Sequence, residues 1–163
     1  MINFNPKDLK NKIIEVECLR LGSNFEGVCQ YNGFTIFVNG AIPTEFIKIR
    51  IERVEKRYAY GKLLEIIKKS DDRQTPQCPY FGKCGGCSCQ HLNYEKTLSW
   101  KGKKVEDSLK FISKIDKEVS EVIGLDNPWH SRNKTSLPVR EVNGKVAIGF
   151  YKKRSHDVIE IEQ

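Results

Sequence analysis

Residues 78–91 read CPYFGKCGGCSCQH, and no other stretch restricts the fold so strongly. Four of the six cysteines fall here: Cys78, Cys84, Cys87 and Cys89. The spacing is C-x5-C-x2-C, with one more cysteine after Ser88. Pro79 stiffens the backbone beside the first thiol, and Gly82, Gly85 and Gly86 free it between thiols. Glycine takes positive φ without steric cost, so a short loop can fold back and aim several side chains inward. Proline and glycine at this density suit neither a helix nor a central strand. The stretch is expected to be an irregular loop that gathers thiolates. Three soft thiolates at one point suit Zn²⁺ or an iron–sulfur cluster. A disulfide framework would need an oxidising compartment. A set of buried core cysteines fits poorly among so many glycines. Cys78, Cys84, Cys87 and His91 would make a Cys₃His zinc site, and Cys89 is the other candidate for a fourth donor.

The surrounding chain is that of a globular protein. Its 163 residues are 39% hydrophobic and 30% charged, which excludes a disordered chain and allows one domain or two small ones. The net charge of +7 points to an acidic partner, nucleic acid before an anionic membrane surface. No apolar run approaches the roughly 20 residues of a spanning helix, so no membrane partner is expected. The N-terminus, MINFNPKDLKNK, lacks the apolar core of a secretory signal. Free thiols without such a signal predict a reducing, cytoplasmic location. A monomer is expected.

Residues 1–11 read as polar and loose. From Lys12 to Lys68 the pattern is β. In residues 12–19, Ile14, Val16 and Cys18 share one face. Val28–Tyr31 and Phe34–Val38 flank Asn32-Gly33, a two-residue hairpin signal. In residues 46–54, Ile47, Ile49 and Ile51 alternate with Lys48, Arg50 and Glu52. Tyr58 to Ile67 supplies a fifth strand. Five short strands with glycine at the corners predict a small closed barrel of the OB type. Cys18 and Cys29 fall in strand patterns and read as small core residues. Lys48, Arg50, Arg53, Lys56, Arg57, Lys62, Lys68, Lys69 and Arg73 then cluster, with Tyr58 and Tyr60 interleaved. Such a face is either ordinary solvated surface or a phosphate-tracking groove with aromatic platforms. Ser70 to Gln77 reads as a linker.

Residues 93–113 predict a helix with Asn93 as N-cap and an apolar stripe of Leu98, Val105, Leu109 and Ile112. Gly102 weakens its middle. Strands are expected at Val119–Leu125, Lys134–Val142 and Lys145–Tyr151, the last two joined at Asn143-Gly144. His156 beside Asp157 reads as structural, since no nucleophile with a matching context lies nearby.

CPYFGKCGGCSCQHLNYEKTL resembles the cluster loop of RNA (uracil-5-)-methyltransferases, S-adenosylmethionine-dependent enzymes acting on ribosomal or transfer RNA. The resemblance implies a [4Fe–4S] cluster held by Cys78, Cys84 and Cys87, with Cys89 usually not a ligand. In that family a fourth cysteine follows a segment like GFY…SHDVIEI; here Gly149-Phe150-Tyr151 and Ser155 to Ile161 match it, which places the expected ligand just beyond Gln163. Residues 1–69 resemble the TRAM domain through Leu21-Gly22, Glu26-Gly27-Val28, Phe37-Val38, Ala41-Ile42-Pro43 and Tyr60-Gly61. Thr44 stands where that domain usually has glycine. The domain implies RNA binding, with Lys48, Arg50, Lys56, Arg57 and Tyr58 as the candidates. Arg132, Asn133 and Lys134 match a P-x-x-Y-R-N-K segment near the family's RNA path, with Ser131 in place of the tyrosine.

The expected architecture is mainly β with an α+β remainder: a TRAM-like barrel (1–69), a linker and cluster loop (70–92), and a helix with part of a central α/β domain (93–163). The family's cofactor pocket, catalytic cysteine and downstream glutamate lie in a C-terminal domain with no counterpart in these residues. The chain is therefore expected to be the RNA-binding front of a 23S rRNA or tRNA methyltransferase, inactive by itself and binding S-adenosylmethionine only as part of the full-length enzyme. A stand-alone RNA-binding module with a zinc or cluster site, an electron-transfer protein, and an enzyme completed by a second polypeptide are the rival readings.

Overall fold

The computed structural model describes residues 4–161. Residues 1–3 and 162–163, the ends of the expected first and third segments, lie outside the described residues, as does the expected fourth cysteine. The chain divides into two compact units between Arg73 and Gln74.

The first unit is a barrel of five strands: β1 (Ile13–Leu21), β2 (Gly27–Tyr31), β3 (Phe34–Val38), β4 (Phe46–Val54) and β5 (Tyr58–Lys68). They close in the order β1-β2-β3-β5-β4, with β4 returning to β1. Alternation in the sequence sets the inward face. Cys18, Cys29, Ile36, Val38, Ile47, Ile49, Ile51 and Ala59 are all fully buried and form the core. Most pairs are antiparallel, but β3 and β5 run parallel, from Thr35 beside Tyr58 to Val38 beside Gly61. A side chain at Gly61 would meet the Ile49 methyl at 3.0 Å, so glycine is what lets the core close there. Asn32 and Gly33 both take positive φ, 48° and 77°, as the two-residue hairpin requires. Cys18 and Cys29 face each other across β1 and β2. The hydrogen bond with Cys18, then burial, pushes the Cys29 thiol far above its ordinary range, and both side chains are fully buried in the core.

Residues 1–11 are not loose throughout. Pro6–Leu9 forms a turn of 3₁₀ helix, and the Asn5 side chain accepts from the Lys7 amide at 3.1 Å. Proline presets φ for that turn, and Leu9, only 3% exposed, joins the barrel core. Phe4 lies tilted against Tyr31. The polar composition of this stretch conceals one anchoring leucine.

In the second unit, residues 76–92 form turns, as their proline and glycine content predicts. Helix α1 (Tyr94–Phe111) starts at Asn93, whose side chain accepts from the Lys96 amide at 2.8 Å. A sheet of β6 (Val139–Val142), β7 (Lys145–Tyr151) and β8 (Val158–Glu160) follows in that order. Two expectations are corrected. Val119–Leu125 forms no strand; Lys134–Val142 shrinks to Val139–Val142. Residues 119–125 instead lie along α1. The Val119 amide donates to Glu106 at 3.1 Å and the Leu125 amide to the Tyr94 hydroxyl at 2.9 Å. Helix contacts satisfy part of the backbone that a ladder would otherwise have satisfied. The expected helix stripe moves accordingly: Val105 and Ile112 are exposed, whereas Thr97 and Gly102 are buried.

Candidate nucleic-acid interface and cysteine loop

The outer face of β3, β5 and β4 collects the expected RNA-binding side chains of the barrel. Alternation sends Ile47, Ile49 and Ile51 inward, so Lys48 and Arg50 point out. Register then sets Arg50 directly beside Lys62, Lys48 beside Glu65, and Arg53 beside Tyr60. Lys48 also lies 3.8 Å from Glu15, a half-exposed pair worth little. Lys56 and Arg57 are exposed in the turn between β4 and β5. Tyr58 and Tyr60 lie one turn of the pleat apart, with ring centroids 5.5 Å apart. A hydrogen bond with Tyr60 raises the Tyr58 phenol above its ordinary value. Phe37, which sequence reasoning did not name as a binding residue, joins them at 5.5 Å from Tyr58 and 5.9 Å from Tyr60. Only the parallel β3–β5 pairing reveals this, because Phe37 is distant in sequence. The Arg53 guanidinium lies 5.2 Å from the Tyr60 ring centroid.

Arg73 leaves the basic cluster. Its guanidinium forms a two-pronged pair with the fully buried Glu45 carboxylate and donates to the Gly40 carbonyl. This arginine ties the chain after β5 to the segment between β3 and β4. Beside it, Thr44 adopts φ +69° and donates its hydroxyl to Ser70 at 2.9 Å. In the second unit, Arg132, Asn133 and Lys134 are exposed in the loop before β6. The preceding turn is held by the Trp129 amide on Asn127 at 3.0 Å, with His130 at φ +57°.

The cysteine loop is fastened to the end of β7. Cys84 bridges Lys152; the Gly85 amide donates to Tyr151 at 2.8 Å and the Lys153 amide to Lys83 at 3.3 Å. A side chain at Gly85 would crowd the Tyr151 carbonyl at 3.1 Å, so glycine permits this approach. The Gly86 amide points at the Cys84 sulfur, 3.2 Å away. Cys84 is buried, Cys78 half-buried and Cys87 exposed. Burial pushes the Cys89 thiol up, which disfavours the thiolate a ligand needs. His91 is buried against Phe81, with ring centroids 5.3 Å apart. His156 packs edge-on against Tyr151. Among the described residues, no three His, Cys, Asp or Glu side chains are grouped so as to hold a metal ion. Cys78, Cys84 and Cys87 therefore share one loop but do not stand as a formed cage.

Residues 7–64 match the TRAM domain family. The matched stretch coincides with the five-stranded closed barrel. The chain is 45% identical over 153 residues to an uncharacterized RNA methyltransferase of Clostridium tetani, covering 94% of this chain and 33% of that protein. It is 42% identical to one from Clostridium acetobutylicum, covering 94% of this chain and 34% of that protein, and 40% identical to one from Listeria innocua, covering 93% and 34%. It thus spans about a third of the length of these relatives. A solution structure of a conserved protein from Methanococcus maripaludis aligns with TM-score 0.34 and 23% identity over 34% of this chain and 80% of that one. Among the described residues, no helix is long and apolar enough to cross a membrane.

Proposed function

We propose that this chain is the RNA-binding front region of an S-adenosylmethionine-dependent RNA (uracil-5-)-methyltransferase acting on 23S rRNA or tRNA. The carrying observation is the barrel over the TRAM-matching residues, whose outer β4–β5 face sets Arg50 beside Lys62 and Arg53 beside Tyr60. The similarity to RNA methyltransferases over 94% of the chain supports the same reading. Methyl transfer and S-adenosylmethionine binding belong, in this proposal, to the rest of the enzyme, and these residues present the RNA. The test is RNA affinity against salt. Each single-strand phosphate contact adds roughly 0.7 log units of affinity lost per log unit of salt, so contacts from Lys48, Arg50, Lys56 and Arg57 predict a slope near about −3. A flat response would refute binding through phosphates.

We further propose that Cys78, Cys84 and Cys87 close around a [4Fe–4S] cluster with a fourth thiolate from outside these residues, zinc being the alternative metal. The support is the donor chemistry, the glycine-rich loop, and the Gly86 amide directed at the Cys84 sulfur. The sulfurs do not converge as they stand, so closure would accompany metal binding, as expected where ligands are ordered by their metal. The group would pin the loop to the end of β7, next to the Cys84–Lys152 bridge. Anaerobic reconstitution with iron and sulfide should give visible charge-transfer absorbance that Cys84→Ser abolishes. Zinc uptake without that absorbance would select the alternative.

A further inference from the structure

We propose that Phe37, Tyr58, Tyr60 and Arg53 form a stacking platform for an unpaired nucleobase, with Arg50 and Lys62 receiving its flanking phosphates. The proposal rests on the RNA-binding reading above and names the part of RNA that the barrel grips. First, the rings are on the wrong side for packing. Ile36 and Val38, which flank Phe37, and Ala59, between the two tyrosines, are fully buried in the core, so Phe37, Tyr58 and Tyr60 occupy the water side of β3 and β5. Three half-buried aromatic rings there gain little of the burial that a core position would give them. Second, Tyr58 stands edge-on to both Phe37 and Tyr60, at interplanar angles of 74° and 84°. In an edge-on pair the ring that lends its edge keeps its own faces clear of its neighbour, and a base has a face to offer it. Arg53 over Tyr60 extends the surface with a planar cation that also stacks on bases. Third, Arg50 and Lys62 are direct cross-strand neighbours on the exposed face. Like charges so placed destabilise a sheet, and an anion between them removes that cost. Bases inside a duplex have their faces already stacked, so the platform selects single strands.

The test uses a fluorescein-labelled eight-nucleotide single-stranded RNA and a blunt duplex of equal length, followed by anisotropy. Tyr58→Ala and Phe37→Leu should each weaken single-strand binding roughly ten-fold or more at constant salt slope, and leave duplex binding unchanged. The double substitution Arg50→Gln, Lys62→Gln should instead flatten the slope by roughly 1.4. A readout free of protein variants is an abasic ribose moved along the octamer. Loss of affinity at particular positions supports the platform; uniform affinity at every position overturns it. Weakening by the charge variants but not by Tyr58→Ala or Phe37→Leu also overturns it, while preserving RNA binding by the barrel. Failure of the unsubstituted protein to bind either RNA at low salt overturns both the platform and the reading beneath it.

Discussion

Thr44 is a β-branched residue held at φ +69°, a conformation that costs an L-residue about 1–2 kcal/mol. It stays because its amide donates to Cys18 at 2.9 Å and its hydroxyl to Ser70. Thr44→Gly and Thr44→Val both delete the hydroxyl, so their difference isolates the backbone. Urea unfolding should find the glycine variant the more stable by about 1 kcal/mol, after allowing for glycine's greater unfolded entropy. Equal stabilities would mean the strain is absorbed elsewhere. Arg73 carries a larger consequence. Its side chain is 13% exposed and Glu45 is fully buried. Arg73→Ala strands a buried carboxylate and should cost about 3–5 kcal/mol in the same measurement, with Glu45→Gln on that background recovering part of it. Nothing in the sequence distinguishes Arg73 from the basic residues before it. A guanidinium's role is set by whichever carboxylate the fold brings to it, here one 28 positions away.

At the scale of elements, α1 and residues 119–125 behave as helix and strap. Gly102 is one point of close approach, where a Cβ would meet a Val122 methyl at 2.9 Å. In an isolated helix Gly→Ala gains about 1 kcal/mol. Here Gly102→Ala should keep or raise helical circular dichroism while loosening the strap, seen as faster tryptic cleavage at Lys117. The strap is also acid-sensitive. The Val119 amide, then Lys103, holds the Glu106 carboxyl below its ordinary value. A depressed carboxyl contributes its stabilisation above the unfolded pKa and loses it as pH falls through the folded one. The protection factor of the Val119 amide, exchange being corrected for its intrinsic pH dependence, should therefore hold at neutral pH and fall only below the ordinary glutamate range; pH-independent protection would exclude the carboxylate contact. In the sheet, a Cβ at Gly149 would fall on the Ile159 carbonyl oxygen. Gly149→Ala should separate β8 from β7, with loss of amide protection confined to that pair.

At the scale of the molecule, a compact barrel and a second unit of helix, loop and sheet share a chain with a net charge of +7. The Asn32-Gly33 hairpin, the alternating isoleucines of β4 and the cysteine spacing are all local patterns. They are enough to determine five strands, their inward faces and an irregular loop, because turn chemistry and a two-residue period act over a few residues. Local patterns fail where a segment's partner is remote. Val119–Leu125 has strand-like residues but lies along a helix, since what satisfies a segment's backbone depends on what comes beside it. Leu9 looks like part of a polar tail until the barrel offers it a core. Phe37 becomes part of an aromatic face only through the parallel β3–β5 pairing, and Arg73 is withdrawn from the basic face by Glu45. Within the barrel strands the sequence alone settled which residues face the core, for burial there follows from alternation. Which outward residues stand together was settled by barrel closure, because only tertiary pairing brings distant strands into register.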